Sequence, residues 1–91
     1  MEIEMRLFAN FRDTVGQKEV VREVADDATV GVVLHGIVEE YPDMDIFEDD
    51  GSLREFLSIM KNGRDITYID GLETELENGD TVSVFPPVAG G

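Results

Sequence analysis

The chain opens with a strict alternation. Along Glu2-Ile3-Glu4-Met5-Arg6-Leu7-Phe8-Ala9, the apolar Ile3, Met5 and Leu7 fall on one face and Glu2, Glu4, Arg6 and Phe8 on the other. A period of two is that of a strand with one buried face. Phe8 is the exception, a large aromatic among charges. Residues 10–15 read as a short irregular or helical connection ending at Gly16, and residues 18–24 as a second strand paired with the first in a hairpin. The period changes after Asp26-Asp27-Ala28-Thr29, where Thr29 suits a helix N-cap. Val30, Val33, Leu34, Ile37, Val38 and Tyr41 then recur at helical spacing as one apolar stripe, and Pro42 closes the helix. Gly31 and Gly36 weaken it by about 1 kcal/mol each relative to alanine. Val32 and His35 lie off the stripe and face solvent.

The second half is shorter in its elements. Residues 43–54 are acidic and turn-rich around Asp50-Gly51-Ser52 and read as a surface loop with room for a helical turn. Leu57 to Lys61 is a third strand, Asn62-Gly63 a tight turn, and Ile66 to Ile69 a short fourth strand. Asp70-Gly71 turns the chain, Leu72 and Leu76 anchor a short turn, and Asn78-Gly79-Asp80 leads into a last strand, Thr81 to Phe85. One helical stripe must cover one sheet face, which gives a two-layer α+β domain. The first and last strands are the most regular, and placing them side by side at the sheet centre buries the most apolar surface.

Composition narrows the chemistry. Ninety-one residues suffice for one modest core. Cysteine is absent, so disulfides, thiolate metal sites and cysteine nucleophiles are excluded. His35 is the sole histidine, which leaves zinc coordination and triad catalysis with too few parts. An acid/base or metal enzyme built on Glu48, Asp49 and Asp50 is a poor fit, because those carboxylates fall in a solvated loop without a partner ligand. Twenty-one acidic residues against seven basic ones give a net charge of −14. That argues against nucleic acid as a direct partner. A carboxylate-rich surface whose only lysines are Lys18 and Lys61 suits a cytoplasm with molar salt, where the Debye length falls to about 3 Å. The alternative is an ordinary acidic protein with a basic partner. Neither a signal peptide nor a membrane span is legible, and the expected location is the cytoplasm.

The last six residues, Pro86-Pro87-Val88-Ala89-Gly90-Gly91, carry the most specific signal. The two prolines lack a backbone N–H, so the sheet ladder cannot pass Phe85. They favour a stiff, extended segment of about 3 Å per residue, and Gly90 and Gly91 add no side chain. The expected division is a folded domain over residues 1–85 and an extended tail over residues 86–91. Such a tail fits a narrow enzyme channel and presents its carboxylate for chemistry. Phe85 follows the inward Val82 and Val84 by an odd step and so faces outward. With the terminal strands adjacent, Phe8 and Phe85 form one apolar patch that Met60 extends.

This order of elements with this tail resembles the MoaD and small archaeal modifier family. The residues that carry the resemblance are Arg6-Leu7-Phe8-Ala9-Asn10-Phe11-Arg12, Gly16, Ala28-Thr29-Val30-Gly31-Val32-Val33-Leu34, Lys61-Asn62-Gly63 and the stretch Asn78 to Gly91. Val32 departs from the family, which often has an acidic residue there. The resemblance implies a ubiquitin-like β-grasp: a mixed sheet of four to five strands with one main helix on one face. It also implies a carrier that is a substrate of enzymes and not itself an enzyme. An activating enzyme of the ubiquitin-activating, MoeB-like type would use ATP to adenylate Gly91. The activated end would form either a thiocarboxylate, for molybdopterin or tRNA sulfur transfer, or an isopeptide bond to target lysines. A MoaE-like molybdopterin synthase large subunit is the implied partner for the first fate. Phe8, Phe85, Met60, Pro86 and Pro87 would dock partners, and Val88, Ala89 and Gly90 would thread the channel. No bound cofactor, metal or membrane is implied. A ubiquitin-like domain used only for non-covalent docking remains the alternative.

Overall fold

Ile3, Met5 and Leu7 are fully buried, while Glu2 and Arg6 stand in solvent, as the alternation requires. They belong to β1 (Glu2–Leu7) in a computed structural model that describes residues 1–87. The chain continues through α1 (Ala9–Val15), β2 (Glu19–Glu23), α2 (Val30–Glu40), β3 (Ser58–Lys61), β4 (Arg64–Asp65) and β5 (Thr81–Phe85). Two 3-10 turns, Ile66–Tyr68 and Gly71–Glu73, lie between β4 and β5. The five strands form one sheet in the order β2-β1-β5-β3-β4. β1 and β2 pair antiparallel as a hairpin. β1 and β5 run parallel, with Met5 opposite Val82 and Leu7 opposite Val84. β3 joins β5 antiparallel, with Ile59 opposite Val84. The two terminal strands therefore lie side by side, as their regularity predicted.

The inner face is covered by α2. Val30, Val33, Leu34 and Ile37 are buried against the sheet, and Val38 and Tyr41 pack at the margin. Each fully buried aliphatic of this size contributes roughly 1.5–3 kcal/mol. Thr29 caps the helix, its hydroxyl accepting from the Val32 N–H at 3.4 Å. Val32 is exposed, as expected. His35 is exposed too, but its ring stacks on Phe47 with centroids 4.0 Å apart. Gly31 has a packing reason. A Cβ there would come within 3.0 Å of the Leu72 carbonyl oxygen, so the second 3-10 turn lies flush on the helix.

Two expectations need correction. Ile66 to Ile69 is not a strand. Strand pairing stops at Asp65, whose carboxylate accepts from the Thr67 N–H at 2.8 Å and starts a 3-10 turn instead. Local Asx bonding of this kind competes directly with a sheet ladder. Ile66 is still buried, so its apolar character served the core and not a strand period. Residues 43–54 are not wholly a surface loop. Met44 and Ile46 are buried, and Phe47 bridges to Leu53, folding the segment into a small loop with an apolar inner side. The segment 10–15 resolves into α1, which buries Phe11.

Candidate functional site: an aromatic pair at the root of the tail

The site follows from where two strands end. The register Leu7 opposite Val84 runs β1 and β5 on in parallel, so the next residues, Phe8 and Phe85, stand together on the outer face. Their rings stack with centroids 4.1 Å apart and planes 12° from parallel. Phe8 is extended, at φ −126° and ψ 153°. The chain then turns at Ala9, whose φ is 52°, and enters α1, which sends Phe11 inward. Both rings of the pair are half-buried. On β3, Ser58 is opposite Phe85 and Met60 is opposite Ser83. Met60 thus shares the face on the diagonal of Phe85, at a separation that long side chains bridge. The expected trio lies on one face.

The tail root divides by proline. Pro86 continues the inward step of Val82 and Val84 and is buried, whereas Pro87 is exposed. Pro86 therefore anchors the root and offers little surface to a partner. Val88, Ala89, Gly90 and Gly91 lie outside the described residues, and so does the expected reactive end.

The strand that delivers the root is fixed at its start. The Asp80 carboxylate accepts from the Asn62 amide at 2.9 Å and from the Glu77 N–H at 2.7 Å, and Lys61 lies 3.7 Å away. Asn62 in turn accepts from the Thr81 N–H at 2.8 Å. Asn62 and Gly63, at φ 51° and 84°, form the two-residue β3–β4 turn, the positive-φ pair that such hairpins need. Burial pushes Asp80 up, but Asn62, Glu77 and Lys61 together outweigh it and hold the carboxyl below its ordinary range.

Sequence reasoning missed one feature of the surroundings. Phe56 is 82% exposed, and its φ is 68°. It lines a cleft of about 590 Å³ together with Glu48, Asp50, Leu53, Arg54 and Pro87. The signal in the sequence is only a large aromatic within a polar run that has no period. Within the same loop, Arg54 bridges Asp45 at 3.1 Å and Glu48 at 3.4 Å. The Ser52 hydroxyl and N–H both donate to Asp50, holding that carboxyl below its ordinary range. These carboxylates thus serve turn geometry. Among the described residues no group of three or more His, Asp and Glu side chains is arranged to hold a metal. No described helix is long and apolar enough to cross a membrane.

Comparison with known proteins agrees with this geometry. The ThiS family matches residues 5–91. Small archaeal modifier protein 3 of Haloferax volcanii is 49% identical over 92 residues and covers all of both chains. The sulfur carrier protein CysO of Mycobacterium tuberculosis is 34% identical over 82 residues, covering 86% of this chain and 85% of its own. The crystal structure of SAMP1 from Haloferax volcanii superposes over the whole of both chains with a TM-score of 0.87 at 33% identity. The fold is the ubiquitin-like β-grasp. The chain belongs to the ThiS family, and like its small archaeal modifier and sulfur carrier relatives it is a carrier and not a catalyst.

Proposed function

We propose that the carboxylate of Gly91 is the reactive group, and that an activating enzyme of the ubiquitin-activating, MoeB-like type adenylates it. A carboxylate oxygen attacks the α-phosphorus of ATP and pyrophosphate leaves. The acyl-adenylate so formed has AMP as a good leaving group, which a free carboxylate lacks. Sulfide then displaces AMP to give a thiocarboxylate, or a lysine amine displaces it, losing a proton, to give an isopeptide bond. The domain itself supplies no catalytic group. It positions the end and is recognised.

One observation carries the reading. β5 runs from the stacked Phe8–Phe85 pair directly into Pro86-Pro87, and Val88-Ala89-Gly90-Gly91 follow in sequence. A docking face and a threading segment are thus joined by one buried proline. Without cysteine, sulfur has no carrier on this chain except its C-terminus. The outer-face trio Phe8, Phe85 and Met60, with Pro87, docks the activating enzyme and then the acceptor: a MoaE-like subunit for molybdopterin synthesis, or a target protein with a free lysine. ATP belongs to the activating enzyme, and the domain holds no cofactor. The working compartment is a high-salt cytosol.

The test is the intact mass of the protein purified from its own cells. A single O-to-S exchange confined to Gly91 marks the thiocarboxylate. Isopeptide ladders that persist under reducing conditions on an immunoblot mark conjugation. Cells that show neither product, with the activating enzyme present, would reduce the chain to a non-covalent docking domain.

A further inference from the structure

Phe56 belongs neither to the core nor to the aromatic pair, and its conformation is costly. A bulky residue in the left-handed region is disfavoured by its Cβ, and such outliers persist where the surroundings impose them, often at sites of recognition. Here the outlier holds a nearly fully exposed aromatic ring out of an otherwise acidic loop. A ring in solvent gives the fold little burial in return, so packing does not explain the strain.

Its position supplies the explanation. Phe56 and Pro87 line the same cleft. Phe85, two residues before Pro87, carries the aromatic pair on the outer sheet face. The tail root therefore has two aromatic features near it, the Phe8–Phe85 stack just before it in the chain and Phe56 in the cleft that Pro87 lines. A protein whose channel receives residues beyond Pro87 must set the channel mouth over Pro87, and hence over the cleft and Phe56. The remaining lining includes Glu48, Asp50 and Glu55 against the single cation Arg54, so the surface presented there is an aromatic ring within a net negative rim.

We propose that Phe56 is a second docking element, seated in an apolar recess with a basic rim at the mouth of the activating enzyme's tail channel. The enzyme then holds the tail root at two points, with the aromatic pair setting the sheet face and Phe56 setting the rotation about the tail. This rests on the reading of Gly91 as the adenylated end.

The experiment is ATP–pyrophosphate exchange by the activating enzyme, with the full chain as the varied substrate. Phe56→Gly removes the ring and suits the positive φ, so its thermal midpoint should equal or exceed that of the wild type. Its KM for the chain should rise about thirtyfold, as for loss of a central interface aromatic, with kcat unchanged, the pattern of lost uniform binding. Phe56→Tyr keeps the ring and should restore the wild-type KM. An unchanged KM in Phe56→Gly overturns the proposal, and so does a lowered thermal midpoint, which would show that the ring holds its own loop. If the wild-type chain supports no exchange, the adenylation reading fails first and this inference falls with it. That outcome is distinct from a wild type that exchanges beside an indifferent variant.

Discussion

Phe8 and Phe85 are stacked and half-buried, so the pair packs at the end of the sheet and, in the proposed reading, offers its remaining apolar surface to a partner. An offset aromatic pair contributes about 0.5–1.5 kcal/mol beyond its buried area, whereas truncating a central interface aromatic commonly costs about 2 kcal/mol or more. Phe8→Ala and Phe85→Ala should therefore weaken binding to the activating enzyme more than they lower the thermal midpoint. The check is to measure affinity and midpoint for the same two variants. A collapse of the midpoint with unchanged affinity would make the rings core residues. This pair was legible in the sequence because two regular strands fix which odd steps face outward. Phe11, Met44 and Ile46, all buried, were not legible as core. They sit in short or irregular segments where no period marks a face. Phe56 stayed hidden for the same reason.

Among the elements, the two glycines of α2 separate propensity from packing. A Cβ at Gly36 would meet only the Arg22 side chain, at 3.5 Å, whereas one at Gly31 would meet the Leu72 backbone oxygen at 3.0 Å. Gly36→Ala should stabilise by up to about 1 kcal/mol through helix propensity. Gly31→Ala should destabilise, because the rigid turn against it must move. Thermal melts of the two variants should shift in opposite directions, and a rise in both would mean that the turn at Gly71–Glu73 yields freely. The Asp80 network gives a second expectation. Its folded-state carboxyl is held below the ordinary carboxylate range, so its stabilisation is full above the unfolded value of about 3.9 and is lost as pH falls through the folded value. Asp80→Asn should cost about 1–2 kcal/mol at pH 7, and the gap to wild type should narrow as melts are taken below about pH 4. A gap that is constant with pH would show that charge plays no part in it. The sequence disclosed the turn Asn62-Gly63 and the strand after Asp80, but not that one carboxylate ties them together. It also misassigned Ile66 to Ile69, since a side-chain bond from Asp65 decides that segment and apolar content alone does not.

For the molecule as a whole, charge and tail dominate. The net charge of −14 is offset only locally. Arg6, Arg22, Arg54 and Lys61 form ion pairs with nearby carboxylates, and several of these pairs are solvent-exposed, where each is worth about 1 kcal/mol or less. Self-repulsion therefore acts at full range in dilute salt, where the Debye length is about 30 Å at 0.01 M, and nearly vanishes at about 3 Å in 1 M. The thermal midpoint should rise as KCl goes from low to molar concentration, and a flat or falling series would mean that the surface is already compensated. The overall architecture was legible because the strand, helix and turn signals agreed with one another. The terminal glycines carry the functional claim, and no other segment was as specific. That this domain exists to deliver Gly91 can be put to ATP–pyrophosphate exchange with the activating enzyme, comparing the full chain with one lacking Gly90-Gly91. Robust exchange is expected with the full chain and none with the truncated one, at equal thermal midpoints. Full exchange by the truncated chain would mean that the activated group lies elsewhere.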